Sequence, residues 1–513
     1  MTAVHSRCAF LCTVLAALAM SCLPSAARAQ TRGGTLTIGV EQQVVGFDPI
    51  VTKTTAWVTV MVGGMIFGTA YGLDATNHEY PSGALSVTPS PDGTVWTTKL
   101  RPGMRFSDGS PLEANDVARH WTRVLDPEHS KAYIDYVSPF KEVVAIDQFT
   151  VETRLKHPFP AFEAFNAFNG FLNWVMPAKY EASAEQDMNR KPIGAGPYVL
   201  SEWNQDGGMV LVRNPHYWNP DAQHFDKIVV KFIPDGNSRY AALKNGDIDI
   251  AISDSMQQVQ DARKNPALQV IKEQGTGAFT VQFNTSVPPL DDVRVRQALA
   301  YAIDRTAERK AIFSDEAEMA TSLWGKGSHW HCEDDAVYPK YDPAKAQSLL
   351  KDYGKPVKLT LQVPAYPIAV LVGELYQGFW KKVGVETEIT QVQVGPAYIG
   401  PVFAGKYQAA LWDSPDLPDP DFQVYAVLHS GSGANVGRVN NPVLDAALER
   451  GRVSMDPAVR KSAYCDVAKE MAAFVPILLR NQHDYFAMAN AKLRGVTHLR
   501  FGRFWPAEAW WEK

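Results

Sequence analysis

The sequence predicts a mixed α/β protein of about three interwoven domains, and three observations carry that prediction. Short runs of β-branched and aromatic residues recur along the chain, with helical segments between many of them, the pattern of layered α/β architecture. At 513 residues the chain fits roughly three domains of ~100–200 residues each. It holds no internal repeat, low-complexity tract or long linker, so the domains are not strung like beads.

The elements follow in chain order. Residues 1–29 carry Arg7 and Arg28 and no acid, with an apolar core at Ala9–Leu23 and small residues at Ala27 and Ala29. That is the form of a secretory signal peptide cleaved after Ala29. An uncleaved anchor fits less well, because Pro24 interrupts the apolar run before the ~20 residues a spanning helix needs. A lipoprotein would use Cys22, behind a poorly matching Ala19-Met20-Ser21. Between Lys53 and Asp74 no residue is charged. Four glycines and the lack of a flanking basic cluster favour a buried helix over a membrane span.

Strand-type runs are Thr35–Val40, Thr94–Leu100, Phe149–Leu155, Met209–Arg213, Lys227–Ile233, Ile248–Ile252, Lys358–Val363, Thr387–Val394 and Gln408–Trp412. Asp342-Pro343 and Asp456-Pro457 each supply an N-cap followed by Pro at the first helical position. The first helix closes at Gly354 and the second reaches about Phe474. Asn441-Pro442 opens another, expected to stop at Gly451. Asp292 caps a helix whose Val295, Ala298, Leu299, Ala302 and Ile303 form one apolar stripe.

Composition excludes several classes. Lys plus Arg number 50 against 55 Asp plus Glu, without the basic surplus or stripe of a nucleic-acid binder. Of five cysteines, Cys8, Cys12 and Cys22 fall in the signal segment. Only Cys332 and Cys465 remain, free to pair in an oxidising compartment or not. Gly400–Tyr407 nearly spells a P-loop, but Tyr407 stands where a short hydroxyl must reach magnesium. Gly194/Gly196 and Gly275/Gly277 lack the third glycine of a dinucleotide loop and read as turns. Neither a G-x-S-x-G elbow nor an H-E-x-x-H helix occurs. No cofactor and no catalytic residue is expected.

Two clusters are chemically dense. His329, His331 and Cys332, followed by Glu333, Asp334 and Asp335, include metal-ligand types. A closed site needs three or four converging ligands, so a polar surface loop is the better reading, with a metal carrier as the alternative. From Trp412 to Asp421 run Asp413, Asp416, Asp419 and Asp421 with three prolines. The central Gly of a calcium loop is missing. This is a rigid acidic loop at the C-terminal end of a strand, where open α/β sheets bind ligands.

Several motifs in order over some 450 residues resemble one family. They are Gly33-Gly34-Thr35, Phe47-Asp48-Pro49, Asp92 through Val117, Gly194 to Tyr198, Arg213 to Trp218, Phe283-Asn284-Thr285, Val293 to Ala298, Ala302 to Arg305, and Asp419-Pro420-Asp421. The chain resembles the family 5 solute-binding proteins of ABC importers, the dipeptide, oligopeptide and nickel type. It departs at Tyr80–Leu85, where members more often read Pro-Leu-Ala-Glu. Most of these motifs have structural explanations: Asp108-Gly109 makes a turn, Arg213–Pro215 ends a strand, and Asp304-Arg305 ends a helix.

The resemblance implies a two-lobed periplasmic-binding-protein fold, a Venus flytrap with an extra inserted domain. Lobe I would take residues 30–63, 187–282 and 492–513, the extra domain 64–186, and lobe II 283–491. Hinges would lie near Thr280–Asn284 and Ala487–Lys492. In peptide-binding members an aspartate shortly before Asp-Pro-Asp holds the ligand ammonium, a charge-assisted hydrogen bond. Asp416 falls there, although this loop has one more residue after Trp412. Trp412 would wall the ligand, Glu41 in the segment Glu41–Val45 would line the cleft rim, and Tyr398 is a further aromatic candidate. The function implied is capture of a small solute, peptide-like first, by cleft closure. A periplasmic monomer would deliver it to an ABC permease, with ATP hydrolysed by separate subunits. A non-peptide solute such as a sugar, opine or metal chelate is the alternative, and a secreted hydrolase is a more distant one.

Overall fold

The structure, a computed structural model, describes residues 30–48, 57–73, 79–126, 137–167, 173–181, 187–204, 207–253, 255–325, 328–332, 338–414, 419–499 and 503–513. The expected signal peptide and Asp416 lie outside these residues.

The first half begins with β1 (Thr35–Val40), whose Leu36, Ile38 and Val40 are fully buried. Helix α1 (Trp57–Phe67) is buried on every side, as its uniformly apolar sequence requires. The chain then builds a separate four-stranded antiparallel sheet from β2 (Ala84–Pro89), β3 (Val95–Leu100), β4 (Phe140–Ala145) and β5 (Thr150–Leu155), in the order β2-β3-β5-β4. Helix α2 (Ala114–Leu125) lies between β3 and β4 in sequence and buries His120, Trp121 and Val124. The chain returns through β6 (Tyr198–Asn204), β7 (Gly208–Arg213), β8 (Lys227–Phe232) and β9 (Ile250–Ile252). Parallel pairing of β1 with β8 and β9 places the first strand inside this half.

Strand β10 (Leu268–Phe283) then crosses to the second half. There follow α3 (Val293–Tyr301), α4 (Pro343–Tyr353), β11 (Val357–Pro364), α5 (Pro367–Lys382), β12 (Val385–Val392), α6 (Pro396–Phe403) and β13 (Ala409–Ser414). After the acidic loop come a single π-helical turn at Asp421–Tyr425, α7 (Pro442–Val453) and α8 (Pro457–Phe474). Strand β14 (Ile477–Asn490) crosses back.

One ten-stranded sheet spans both halves in the order β12-β11-β13-β10-β14-β9-β1-β8-β7-β6. At one end of the crossing Leu268–Gln274 faces Asp484–Asn490, and β9 pairs with that same end of β14. At the other end Ala278–Phe283 pairs with β13. The ladder shifts register between Gln274 and Ala278, opposite Gln482–Asp484. Gly275 and Gly277, read from sequence as a turn, sit inside β10 at this irregularity, which suits glycines in a strand. The Thr280–Asn284 and Ala487–Lys492 stretches expected as hinges begin within the paired ladder of the two crossing strands.

The caps behave as expected. Asp342 accepts from Lys345 N at 2.8 Å, Asp456 from Ala458 N at 2.8 Å and Asn441 from Val443 N at 3.0 Å, each satisfying an otherwise unpaired amide. Helix α7 runs past Gly451 to Val453. A Cβ there would come within 2.8 Å of the Tyr464 ring, so the glycine serves close packing of α7 on α8. Asp304 does not end a helix; it accepts from Ala307 N at 3.0 Å and starts the next one, at Arg305–Phe313.

Candidate functional site

The C-terminal end of β13 carries the aromatic part of the site. Trp412 stacks on Tyr398 with ring centres 6.2 Å apart and planes 16° from parallel, and meets Phe403 at 6.5 Å. Both partners come from α6, which packs against this strand end. Tyr398 is buried, and its hydroxyl lies 2.5 Å from the Leu411 carbonyl and 3.2 Å from that of Gln362. Burial pushes the phenol pKa far up, so its proton stays in place. Tyr398 therefore supports the half-buried Trp412 with its ring while its polar end is committed to the sheet.

Sequence reasoning singled out Trp412 but passed over its neighbour. The Asp413 side chain is 57% exposed, and its Oδ1 lies 2.6 Å from Nε2 of the fully buried His483 on β14. Between them on the sheet stands Phe279, register partner of Asp413, whose ring centre is 4.5 Å from that of His483. The arrangement sits at the crossing, next to the register shift. A solvent-facing carboxylate backed by an imidazole is an anchor for a cationic or hydrogen-bond-donating group. Asp413 was visible as part of the acidic loop. Nothing in the sequence marks His483, because only the pairing of strands 70 residues apart brings it there.

Glu41 stands at the end of β1 in the first half. Its Oε1 accepts from Trp57 Nε1 at 2.6 Å, while Oε2 is buried with no hydrogen-bond partner among the described residues. A buried carboxylate oxygen without a donor is costly, so it is an opening for a ligand donor. Beyond it, Val44 is buried and Val45 exposed.

The far end of the acidic loop is different. Asp419 pairs with Arg460 at 2.7 Å and accepts from the Asp421 amide at 2.9 Å. Asp421 lies 3.5 Å from Arg452, and burial raises its carboxyl to about 7 against the pull of Arg452. These two carboxylates belong to the core. Cys332 and Cys465 form a disulfide, which removes Cys332 as a thiolate ligand for the metal-carrier alternative. His329 is exposed, and Nδ1 of His331 is 3.2 Å from the Trp324 carbonyl. Among the described residues, no three His, Cys, Asp or Glu side chains gather to hold a metal ion. No helix among them is long and apolar enough to cross a membrane.

A sheet shared by two halves, crossed by two strands and flanked by an inserted sheet, defines a two-lobed binding protein. Residues 79–435 match the model of the bacterial extracellular solute-binding proteins, family 5. The heme-binding protein A of Haemophilus influenzae is 25% identical over 468 residues, covering 83% of this chain and 84% of that protein. The glutathione-binding protein GsiB of Shigella dysenteriae is 28% identical over 413 residues, covering 77% and 80%. The periplasmic binding protein DppA of Helicobacter pylori, solved with the peptide STSA, superposes with a TM-score of 0.84. It is 24% identical and covers 94% of this chain and 99% of that one. The chain belongs to family 5 and is a solute-binding protein of an ABC importer.

Proposed function

We propose that this protein captures a peptide or peptide-like solute bearing a cationic amine between its two lobes, closes on it, and presents it to an ABC permease. The observation that carries this reading is a pair of carboxylates each with an oxygen open to a further donor, Glu41 on one half and Asp413 on the other. Each stands at a strand end, and Asp413 adjoins the Trp412 aromatic wall. Asp416, three residues on, is the further candidate for the ammonium contact. Peptide and glutathione binding among similar proteins supports this solute class.

In this reading lobe I is residues 30–63, 187–282 and 492–513, the inserted domain 64–186, and lobe II 283–491. The bending point is the register shift at Gln274–Ala278, facing Gln482–Asp484, since an interrupted ladder absorbs backbone rotation more readily than a regular one. The mature protein is periplasmic, released by cleavage after Ala29, and acts as a monomer. N-terminal sequencing of the secreted protein is expected to begin at Gln30.

Native mass spectrometry of the mature protein, purified without refolding, tests the solute class. Retained mass whose fragments show a free α-amine is the expected result, and Asp416→Ala should then weaken retention about tenfold or more. A retained solute with no amine would remove the roles given to Asp416, Asp413 and Glu41.

A further inference from the structure

The apolar interior is divided, and one side chain breaches the division. The core of the first half and inserted sheet is built from residues before Phe283 and after Ile477, with one exception. Among the described residues between them, Phe422 alone is fully buried in that core, at 4% exposure, with Met455 packed at its edge. The Phe422 ring centre lies 6.0 Å from that of Phe159 and 6.2 Å from that of Phe165. Both are buried in the same core, where Phe165 meets the rings of Trp121, Phe140 and Phe162.

The turn that carries Phe422 is anchored at its start. Phe422 occupies the π-helical turn, an irregularity common at functional positions. Asp419, held by Arg460, fixes the start of that turn. Behind it the Arg452 guanidinium lies 3.7 Å from the centre of the Tyr425 ring and 5.5 Å from that of Phe159, and donates to Ser138 Oγ at 3.3 Å. Met455 reaches so close to Gly93 that a Cβ there would meet its sulfur at 2.5 Å. Apart from the crossing strands, this is an apolar seam between the inserted domain and the second half.

We infer that Phe422 is the latch of the closed cleft: it seats in the aromatic core of the inserted domain and sets how strongly the protein holds its solute. The inference rests on the closing mechanism proposed above. Opening would withdraw the ring from its socket and expose both to water, which apolar burial opposes. The latch thus stabilises closure without touching the solute, and part of the affinity resides in this seam. Phe422 is a positioning residue, and its loss shifts the open–closed population.

The test measures the distance between spin labels on cysteines placed at Ile146 and Val443, both exposed, on the two sides of the seam. The only native cysteines beyond the signal segment are bonded to each other. Glutathione is the probe, compared with its absence. The wild type should populate a short distance, alone or on adding glutathione, and Phe422→Ala should lose most of that population. Phe422→Leu, which keeps apolar volume, should restore part of it. Where glutathione binds, the alanine variant should bind it about tenfold more weakly, chiefly through faster dissociation. Equal short-distance populations in wild type and alanine variant, where the wild type changes distance with glutathione, would overturn the latch alone. One unchanging distance in every protein and condition would overturn the closing mechanism and the latch with it. If the alanine variant lacks a cooperative melt, the leucine variant decides: a short-distance population equal to that of the wild type refutes the latch, and a reduced one supports it.

Discussion

The two ends of the acidic loop carry the same residue type and lead opposite lives. At Asp413 the carboxylate is more than half exposed and is backed by one imidazole. At Asp419 and Asp421, a few residues on, the carboxylates are buried against Arg460 and Arg452. An aspartate stays available to a solute where the fold leaves a lone pair open to solvent. It becomes structural where arginines and aromatic rings close over it.

Arg460→Ala should give the largest effect, because it strands the buried Asp419 carboxylate. A loss of about 3–5 kcal/mol in denaturant unfolding is expected. A loss below ~1 kcal/mol would place Asp419 in the same class as Asp413 and dissolve the contrast. Next comes the disulfide. It ties the loop before Glu333 to α8, the helix that presents Arg460, across a separation of 133 residues. Replacing both cysteines by serine should cost about 2–5 kcal/mol, and an unchanged melting midpoint would show that α8 is held without it.

Acidity sharpens the comparison further. The folded carboxyl of Asp421 sits at about 7, above the ordinary 3.8, because burial disfavours its charge and Asp419 and Glu449 add to this, while Arg452 and Arg460 oppose it. The folded state therefore binds this proton more tightly than the unfolded chain. Its contribution to stability is full below pH 3.8 and is lost as pH rises through about 7. Asp421→Asn should flatten the part of the stability profile that falls between pH 3.8 and about 7; an identical slope in the variant would reject this assignment. The smallest effect is expected from Asp413→Asn, below about 1 kcal/mol in stability because the group is solvent-screened. A large loss would mean that Asp413 is structural after all.

Local chemistry made much of the fold legible. The strand at Thr35–Val40 and the Asp-Pro helix starts follow from side-chain branching, caps and fixed proline φ, all readable within a few residues. Gly451 misled because its small size serves a contact with Tyr464 on another helix. Gly275 and Gly277 misled because a strand irregularity and a turn ask for the same residues. Of the candidate site, the acidic loop, Trp412, Tyr398 and Glu41 were named from the sequence. The stack of Trp412 on Tyr398 required the placement of α6, and Asp413–His483 required the register of β13, β10 and β14. Phe422 carries no signal of its own, since a phenylalanine in sequence does not say whose core it enters.

Strand β14 has a consequence for assembly. It pairs with β9 in one half and with both stretches of β10, so the two half-sheets are joined into one only when Ile477–Asn490 is in place. Because those residues come late in the chain, the pairings that complete both halves are far apart in sequence, and such pairings form slowly. A nascent chain lacking this strand holds two separate half-sheets, one with β9 and the other with β10 as an edge still waiting for a partner.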